Sequence, residues 1–289
     1  MLHGTTIPKG RNVARTITEL GPREVEFLAR SAERGGLLTA DQAAAFWGSS
    51  EYAWKVLSRL ERKGWLERLE RGSYLIIPLE AGPERLWSED ALAVGCSLAP
   101  EAAGAYWTAM RHWNWTTQLP RIVTFMTPRR RHNNRPVVLG VQYRFVLVGA
   151  ERVLGINRSR EGSMEVRVTD RERTVVDMMD RPDLCGGIAE VVEDLSSAWP
   201  ECDPERFLEY VQRFGSGTVP KRLGFLVEHL GLEPAAGFVE QLRSLMGAGM
   251  SDLERGGAKS GRYVRRWRLR VNTSGFDSPA GDAPVESSA

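Results

Sequence analysis

Between Ser49 and Lys63, polar, cationic and aromatic side chains recur at helical spacing. On a wheel turning about 100° per residue, Ala53, Val56, Leu57 and Leu60 share one face. Glu51, Lys55, Ser58 and Arg62 fall opposite, with Tyr52, Trp54 and Arg59 on the flanks. Such a face suits DNA, because hydrogen-bonding side chains read base edges in the major groove while Arg and Lys hold phosphates. The N-terminal half of a recognition helix reaches deepest, which singles out Ser50, Glu51, Tyr52, Trp54 and Lys55, with Ser49 and Ser50 as candidate N-caps. An isolated helix of this composition would more often be a solvated surface, so its neighbours must decide.

Those neighbours have the right order. Gly21-Pro22 opens an amphipathic stretch with Val25, Leu28, Ala29 and Ala32 inward, and Gly35-Gly36 closes it. Thr39 precedes a short helix over Asp41 to Trp47 that Gly48 ends, and a third helix runs from about Glu51 to Lys63, stopped by Gly64. Two helices joined across a Gly-Ser turn are the helix-turn-helix signature. Trp65 to Ile77 then alternates apolar positions around Arg71-Gly72, a hairpin of wing length, and Pro78 and Gly82-Pro83 mark the domain end. Arg68 and Arg71 on that wing are placed for a minor groove or phosphates, or are simply exposed. Residues 1–16 carry Lys9, Arg11 and Arg15 without an acid and read as a basic arm or a frayed terminus.

The expected organisation is therefore a basic arm over 1–16, a winged helix-turn-helix domain over 17–82, a larger α+β domain over 83–271 and a disordered tail over 272–289. In the larger domain, helix is expected from Leu86 to Leu98 and again from Pro100 to about Trp107. A sheet of about four strands follows, at Ile122–Met126, Val137–Val148, Arg152–Ile156 and Met164–Val168. Thr169-Asp170-Arg171-Glu172 matches a capping box that would start a helix over Arg173–Met179, ended before Arg181-Pro182. Helices are expected at Ile188–Trp199, Pro204–Phe214, Val219–Leu230 and Pro234–Met246, and a last strand at Arg262–Val271.

The second domain carries two dense basic stretches. Arg129, Arg130, Arg131, His132 and Arg135 form one; Lys259, Arg262, Arg265, Arg266, Arg268 and Arg270, with Trp267 interleaved, form the other, and neither stretch contains an acid. Cations clustered without acids attract phosphate, an acidic protein partner or only water. Trp107, Trp113 and Trp115 read as core more readily than as base-stacking platforms. His3, His112, His132 and His229 make no ligand pair, so no metal and no cofactor are assigned. Glu165-Val166-Arg167, with Asp170 and Asp177, superficially resembles a nuclease element. The expected lysine is absent, Asp170 is explained by helix initiation, and Asp177 by a helix surface or a buried cap contact. No glycine-rich phosphate loop or G-x-S-x-G elbow occurs, so an enzyme is not expected.

Composition leaves these readings to stand on charge placement. Lys and Arg number 39 against 37 Asp and Glu, a formal net charge of +2, so overall charge names no partner. Cys96, Cys185 and Cys202 make neither a C-x-x-C pair nor a disulfide framework. With no apolar signal core near Met1 and no membrane-spanning stretch, a cytoplasmic protein that does not engage membranes is expected.

Several motifs together resemble the AbiEi family of antitoxins and are similar to its mycobacterial branch. They are Leu38-Thr39-Ala40-Asp41-Gln42-Ala43 entering the winged module, Gly72-Ser73-Tyr74 in the wing, Thr127-Pro128-Arg129-Arg130-Arg131 leading to Tyr143-Arg144-Phe145-Val146, and Val168 to Asp177 with Arg181 to Gly187. The resemblance runs from about Gly35 to Arg270. It implies a transcriptional autorepressor and antitoxin of a toxin-antitoxin operon whose winged domain binds operator repeats, as double-stranded DNA, in its own promoter. The functional partner it implies is a nucleotidyltransferase toxin encoded alongside; these systems are described as type IV, in which stable toxin binding is not required. The reading from another class is a protein-interaction module whose winged helix is a scaffold and whose basic second domain docks an acidic partner.

Overall fold

The computed structural model describes residues 20–33, 36–77, 91–118, 121–138, 140–161 and 164–276. The expected arm with Lys9 and Arg11, the boundary residues Gly35, Pro78 and Gly82-Pro83, the start of the Leu86 helix and the tail beyond 276 lie outside them. Two compact units divide the chain. The first reaches Leu98 and includes Val137–Val141 and Arg160–Glu165; the second takes Ala99–Pro136, Gln142–Ser159 and the chain from Val166 onward.

In the first unit, helix α1 spans Pro22–Ala32. Pro22 sits in the first turn, where its missing N–H costs nothing, and the Gly21 amide donates to Glu24 Oε2 at 2.9 Å. Strand β1 (Leu37–Thr39) leads into α2 (Ala40–Trp47). A reciprocal cap starts α2: Thr39 Oγ1 accepts from the Gln42 amide at 3.2 Å, and Gln42 Oε1 accepts from the Thr39 amide at 2.9 Å. Helix α3 covers Ser50–Arg62, and the hairpin β2 (Leu66–Glu70) and β3 (Ser73–Ile76) follows. Sequence reasoning missed β1, which pairs antiparallel with β3 to give the order β1-β3-β2. At three residues it is too short to show alternation.

The core of this unit gathers Phe27, Leu28, Leu38, Ala43, Ala53, Val56, Leu57, Leu60, Trp65, Leu66, Tyr74 and Ile76. The expected inward face of α3 is the buried one. The inward face of α1 is rotated from the expected stripe: Val25 is 45 % exposed, Ala29 and Ala32 also face out, and Glu24, Phe27 and Leu28 are buried. Phe27 drives the rotation, because its ring packs at 5.1 Å from Phe46 and 4.3 Å from Trp47. Helix α4 (Ala91–Leu98) completes the helices of this unit among the described residues.

The second architecture is α+β, as expected, with more strands than the sequence disclosed. β4 (Ala103–Gly104) and α5 (Trp107–His112) replace the helix expected from Pro100. β5 (Ile122–Thr127) is as expected, but Gly140 at φ 78° splits the long strand into β6 (Val137–Val138) and β7 (Val141–Leu147). A helical turn occupies Ala150–Arg152, and the next strand, β8, runs over Ile156–Glu161 before β9 (Met164–Thr169). The six strands take the order β6-β7-β5-β4-β9-β8.

Helix α6 spans Arg171–Asp180. Its N-cap is Asp170, whose Oδ1 accepts from the Arg173 amide at 2.9 Å, and not Thr169. Thr169 closes β9 and hydrogen-bonds Thr174 Oγ1, while Glu172 Oε1 caps the Asp203 amide at 2.8 Å. The capping-box pattern therefore marked the right turn with the wrong partners. Helices α7 (Ile188–Ala198), α8 (Pro204–Phe214) and α9 (Val219–His229) match expectation, whereas α10 is shortened to Phe238–Ser244 after Gly237 at φ 79°. The expected last strand is broken by a turn at Arg265–Trp267 into β11 (Arg262–Val264) and β12 (Leu269–Val271). With β10 (Ser251–Asp252) these make a small sheet ordered β10-β12-β11. The chain beyond 271 still packs: Asn272 Oδ1 accepts from the Glu254 amide at 2.8 Å and Phe276 is buried.

Candidate nucleic-acid interface

The turn that aims α3 is built from two residue types. Gly48 takes φ 75°, a left-handed conformation open to glycine at little cost. Ser49 then caps α3, its Oγ accepting from the Tyr52 amide at 3.3 Å. With Ala53, Val56, Leu57 and Leu60 buried, Glu51, Tyr52, Trp54, Lys55 and Arg62 must face outward, and all five are exposed. Tyr52 is 49 % exposed and Trp54 62 %, a large aromatic surface left in water at the N-terminal half of the helix.

The charges on this face differ in how firmly they are committed. Lys55 Nζ lies 2.7 Å from Glu51 Oε1, but both side chains are mostly exposed, so the pair is weak and easily exchanged for a phosphate. Arg62 Nε donates to the Ser58 carbonyl at 3.4 Å. Arg59 is bound differently. Its Nε and Nη2 donate to Glu24 Oε1 at 3.0 and 2.6 Å. Burial pushes the Glu24 carboxyl up, but the Gly21 amide and Arg59 outweigh it and hold the group below its ordinary value. Arg59 thus ties α3 to α1. The sequence placed Arg59 on the flank of the helix as a DNA-binding residue and did not disclose Glu24 as its partner, whose signal was an acid on the third residue after Gly21.

Arg68 and Arg71 are exposed on the wing, and Gly72 at φ 82° turns it. The Gly72 carbonyl accepts from the Ala40 amide at 2.8 Å, which fixes the wing turn against the start of α2.

In the second unit the two basic stretches part company. Arg266 Nη2 lies 3.0 Å from Glu228 Oε1, and Arg270 chelates Asp252 with Nε and Nη2 at 2.7 and 2.9 Å. Arg262 and Arg268 donate to the carbonyls of Phe276 and Gly247. Acids distant in sequence therefore pair with two cations of a patch that looked acid-free, Arg266 and Arg270, while Lys259, Arg262, Arg265, Arg266 and Arg268 are exposed. Arg129, Arg130, His132 and Arg135 are exposed on the loop between β5 and β6, and Arg131 stacks over the Phe145 ring at 4.7 Å.

The residues considered for catalysis have structural partners. Arg167 donates to the carbonyls of Ala102 and Ala99 at 2.9 and 3.2 Å, and Asp170 accepts from Tyr210 Oη at 2.8 Å besides capping α6. Asp177 is fully buried, not on a helix surface, and pairs with Arg173 one turn earlier. Burial raises its carboxyl and Arg173 opposes the rise. Among the described residues no His, Cys, Asp and Glu group has metal-ligand geometry. Trp115 is buried, whereas Trp107 and Trp113 are partly so and pack on the same core. Trp113 donates to the Thr169 carbonyl at 2.9 Å and carries Arg171 over its ring. No described helix is long and apolar enough to cross a membrane.

Comparison with known proteins bears on this interface. Residues 26–77 match the family described as "Transcriptional regulator, AbiEi antitoxin", and the matched segment runs from α1 through the wing. The match agrees with the resemblance read from the motifs over this segment. The crystal structure of the RV2827C protein from Mycobacterium tuberculosis is similar in fold, with a TM-score of 0.61 at 17 % identity, covering 89 % of this chain and 93 % of that one. No curated protein sequence matches the chain.

Proposed function

We propose, from the premise that residues 26–77 match the AbiEi regulator family, that the protein is a sequence-specific DNA-binding autorepressor and the antitoxin of a toxin-antitoxin operon. In this reading α3 enters the major groove, with Ser49, Ser50, Glu51, Tyr52, Trp54 and Lys55 nearest the bases, Arg62 at the phosphates, and Arg68 and Arg71 on the wing beside the duplex. Arg59 serves as the tether that fixes the helix. The observation that carries the reading is the outward face of α3. It leaves Tyr52, Trp54 and an easily released Lys55 in water on a helix whose other face, entry turn and flank are all pinned. The toxin to be countered is a nucleotidyltransferase encoded alongside, and the second unit carries the antitoxic activity.

The test is a mobility-shift titration on the chain's own promoter. Lys55→Ala and Arg71→Ala are each expected to weaken binding and to lower the salt slope by about 1 for each phosphate no longer neutralised. Binding that is insensitive to salt and unaltered in both variants sinks the proposal. Recovery of an acidic protein partner without a promoter shift would favour the scaffold reading instead.

A further inference from the structure

Trp54 is the most exposed large apolar side chain of α3, and among the described residues no ring or guanidinium stacks on it. Helix geometry fixes its neighbours. One turn before it stand Ser50 and Glu51 and one turn after it Ser58, all polar, while Leu57 is turned into the core. The indole is thus a single apolar group set among hydroxyls and charges, and not part of a patch. Protein interfaces are organised around a cluster of buried apolar anchors, which this helix face does not offer. The helix that carries the indole is held firmly: Ser49 caps its start, its inner face is buried, and Arg59 ties its middle to Glu24 of α1.

The side chains beside Trp54 define what it meets in a major groove. Over Ser50 to Ser58 the helix presents Glu51, which can accept from a cytosine amine, and Lys55, which can donate to guanine, but no Asn or Gln to chelate adenine. An A·T pair facing this helix is therefore best distinguished through its other base. Thymine carries the C5-methyl, the one apolar group that the base pairs present in the major groove. We infer that Trp54 is a specificity-determining residue that packs its indole against a thymine C5-methyl, so that each operator repeat carries a thymine facing the first turns of α3. The inference rests on the proposed DNA-binding role of α3 and names the base that one of its residues reads. The contact removes apolar surface from water on both partners, and one methyl group is worth roughly fourfold in affinity.

The experiment uses the full chain and its own promoter duplex, in which each thymine is replaced in turn by deoxyuridine. That change deletes the methyl group and leaves base pairing and phosphates as they were. Uracil at a thymine read by the indole is expected to weaken the native protein roughly fourfold, with the remaining positions silent. Trp54→Ala should bind the unmodified promoter more weakly, with a smaller loss on a random duplex, and should no longer distinguish thymine from uracil at the sensitive position. Trp54→Phe keeps an aromatic surface and should keep most of that discrimination, which separates loss of the contact from damage to folding. Lys55→Ala should weaken the thymine and uracil duplexes alike and leave their ratio unchanged. A promoter in which no thymine responds to uracil overturns the inference. So does a Trp54→Ala variant that is as sensitive to uracil as the native protein, or one that loses promoter and random duplex equally. The two proposals fail separately: a uracil-silent promoter that is still bound in a salt-dependent manner and weakened by Lys55→Ala rejects only the Trp54 contact, whereas a promoter that the native protein does not bind rejects both.

Discussion

Glu24 is the residue on which the geometry of the recognition helix turns. Its carboxylate links the start of α1 to the middle of α3, accepting from the Gly21 amide through one oxygen and from Arg59 through the other. Its side chain is 9 % exposed while that of Arg59 is 43 %, so the pair is half-screened and its Coulomb energy alone is modest. The larger effect of removing it is the disappearance of several hydrogen bonds at once. Glu24→Ala is expected to cost about 1–3 kcal/mol, read as a lowered urea midpoint with little change in slope. The same variant should weaken promoter binding more than random-duplex binding, because Arg59 loses the anchor that ties α3 to α1. A midpoint within error of the native protein would show that the tether contributes nothing.

At the scale of elements, the turn between α2 and α3 is where local sequence dictates most. Gly48 holds φ 75° with open space where a Cβ would stand, so a side chain there meets no neighbour and incurs only the backbone cost. Gly48→Ala should therefore destabilise by about 1 kcal/mol. Circular dichroism should show unchanged helix content, and thermal melting a drop of a few degrees; no drop would mean that the turn relaxes into another conformation. Elsewhere the elements obey partners that local sequence does not disclose. The strand expected across Arg262–Val271 breaks because Trp267 must turn inward, where its indole lies over Gly224 of α9 and donates to Glu228 Oε2 at 2.6 Å. A Cβ at Gly224 would stand 2.1 Å from that indole, so the glycine exists for a tryptophan more than forty positions away.

For the whole molecule the acids buried in the second unit give stability a pH dependence. Glu190 and Asp194 lie one turn apart on α7, both nearly buried, with Glu190 accepting from Thr116 Oγ1 at 2.7 Å and Gln118 Nε2 at 2.6 Å. Burial, reinforced by the neighbouring Glu190 and Glu193, pushes the Asp194 carboxyl up to about 7. A carboxyl raised on folding is protonated in the native state and ionised in the unfolded one. Its stabilisation is complete below the unfolded value of about 4 and is lost as pH rises toward 7. Urea midpoints of the native protein should therefore fall between about pH 4 and 7, and Asp194→Asn should flatten that fall while raising the midpoint at its alkaline end. A native midpoint that holds steady or rises over this range would contradict the assignment.

The sequence alone determined what depends on near neighbours. The helix-turn-helix order, the Ser49 cap, the Gly48 and Gly64 stops, the buried stripe of α3 and the boundaries of α7, α8 and α9 all follow from periods and caps that one turn of helix can enforce. The family resemblance was legible for the same reason, since its winged segment is a continuous run of such signals. Only the tertiary structure decided which charges remain available. Glu24 claims Arg59 across 35 positions, Glu228 and Asp252 claim Arg266 and Arg270, and Asp177 lies buried against Arg173. Opposite charges find each other by distance in space, so a basic stretch in sequence becomes a binding surface only where the fold brings it no acid.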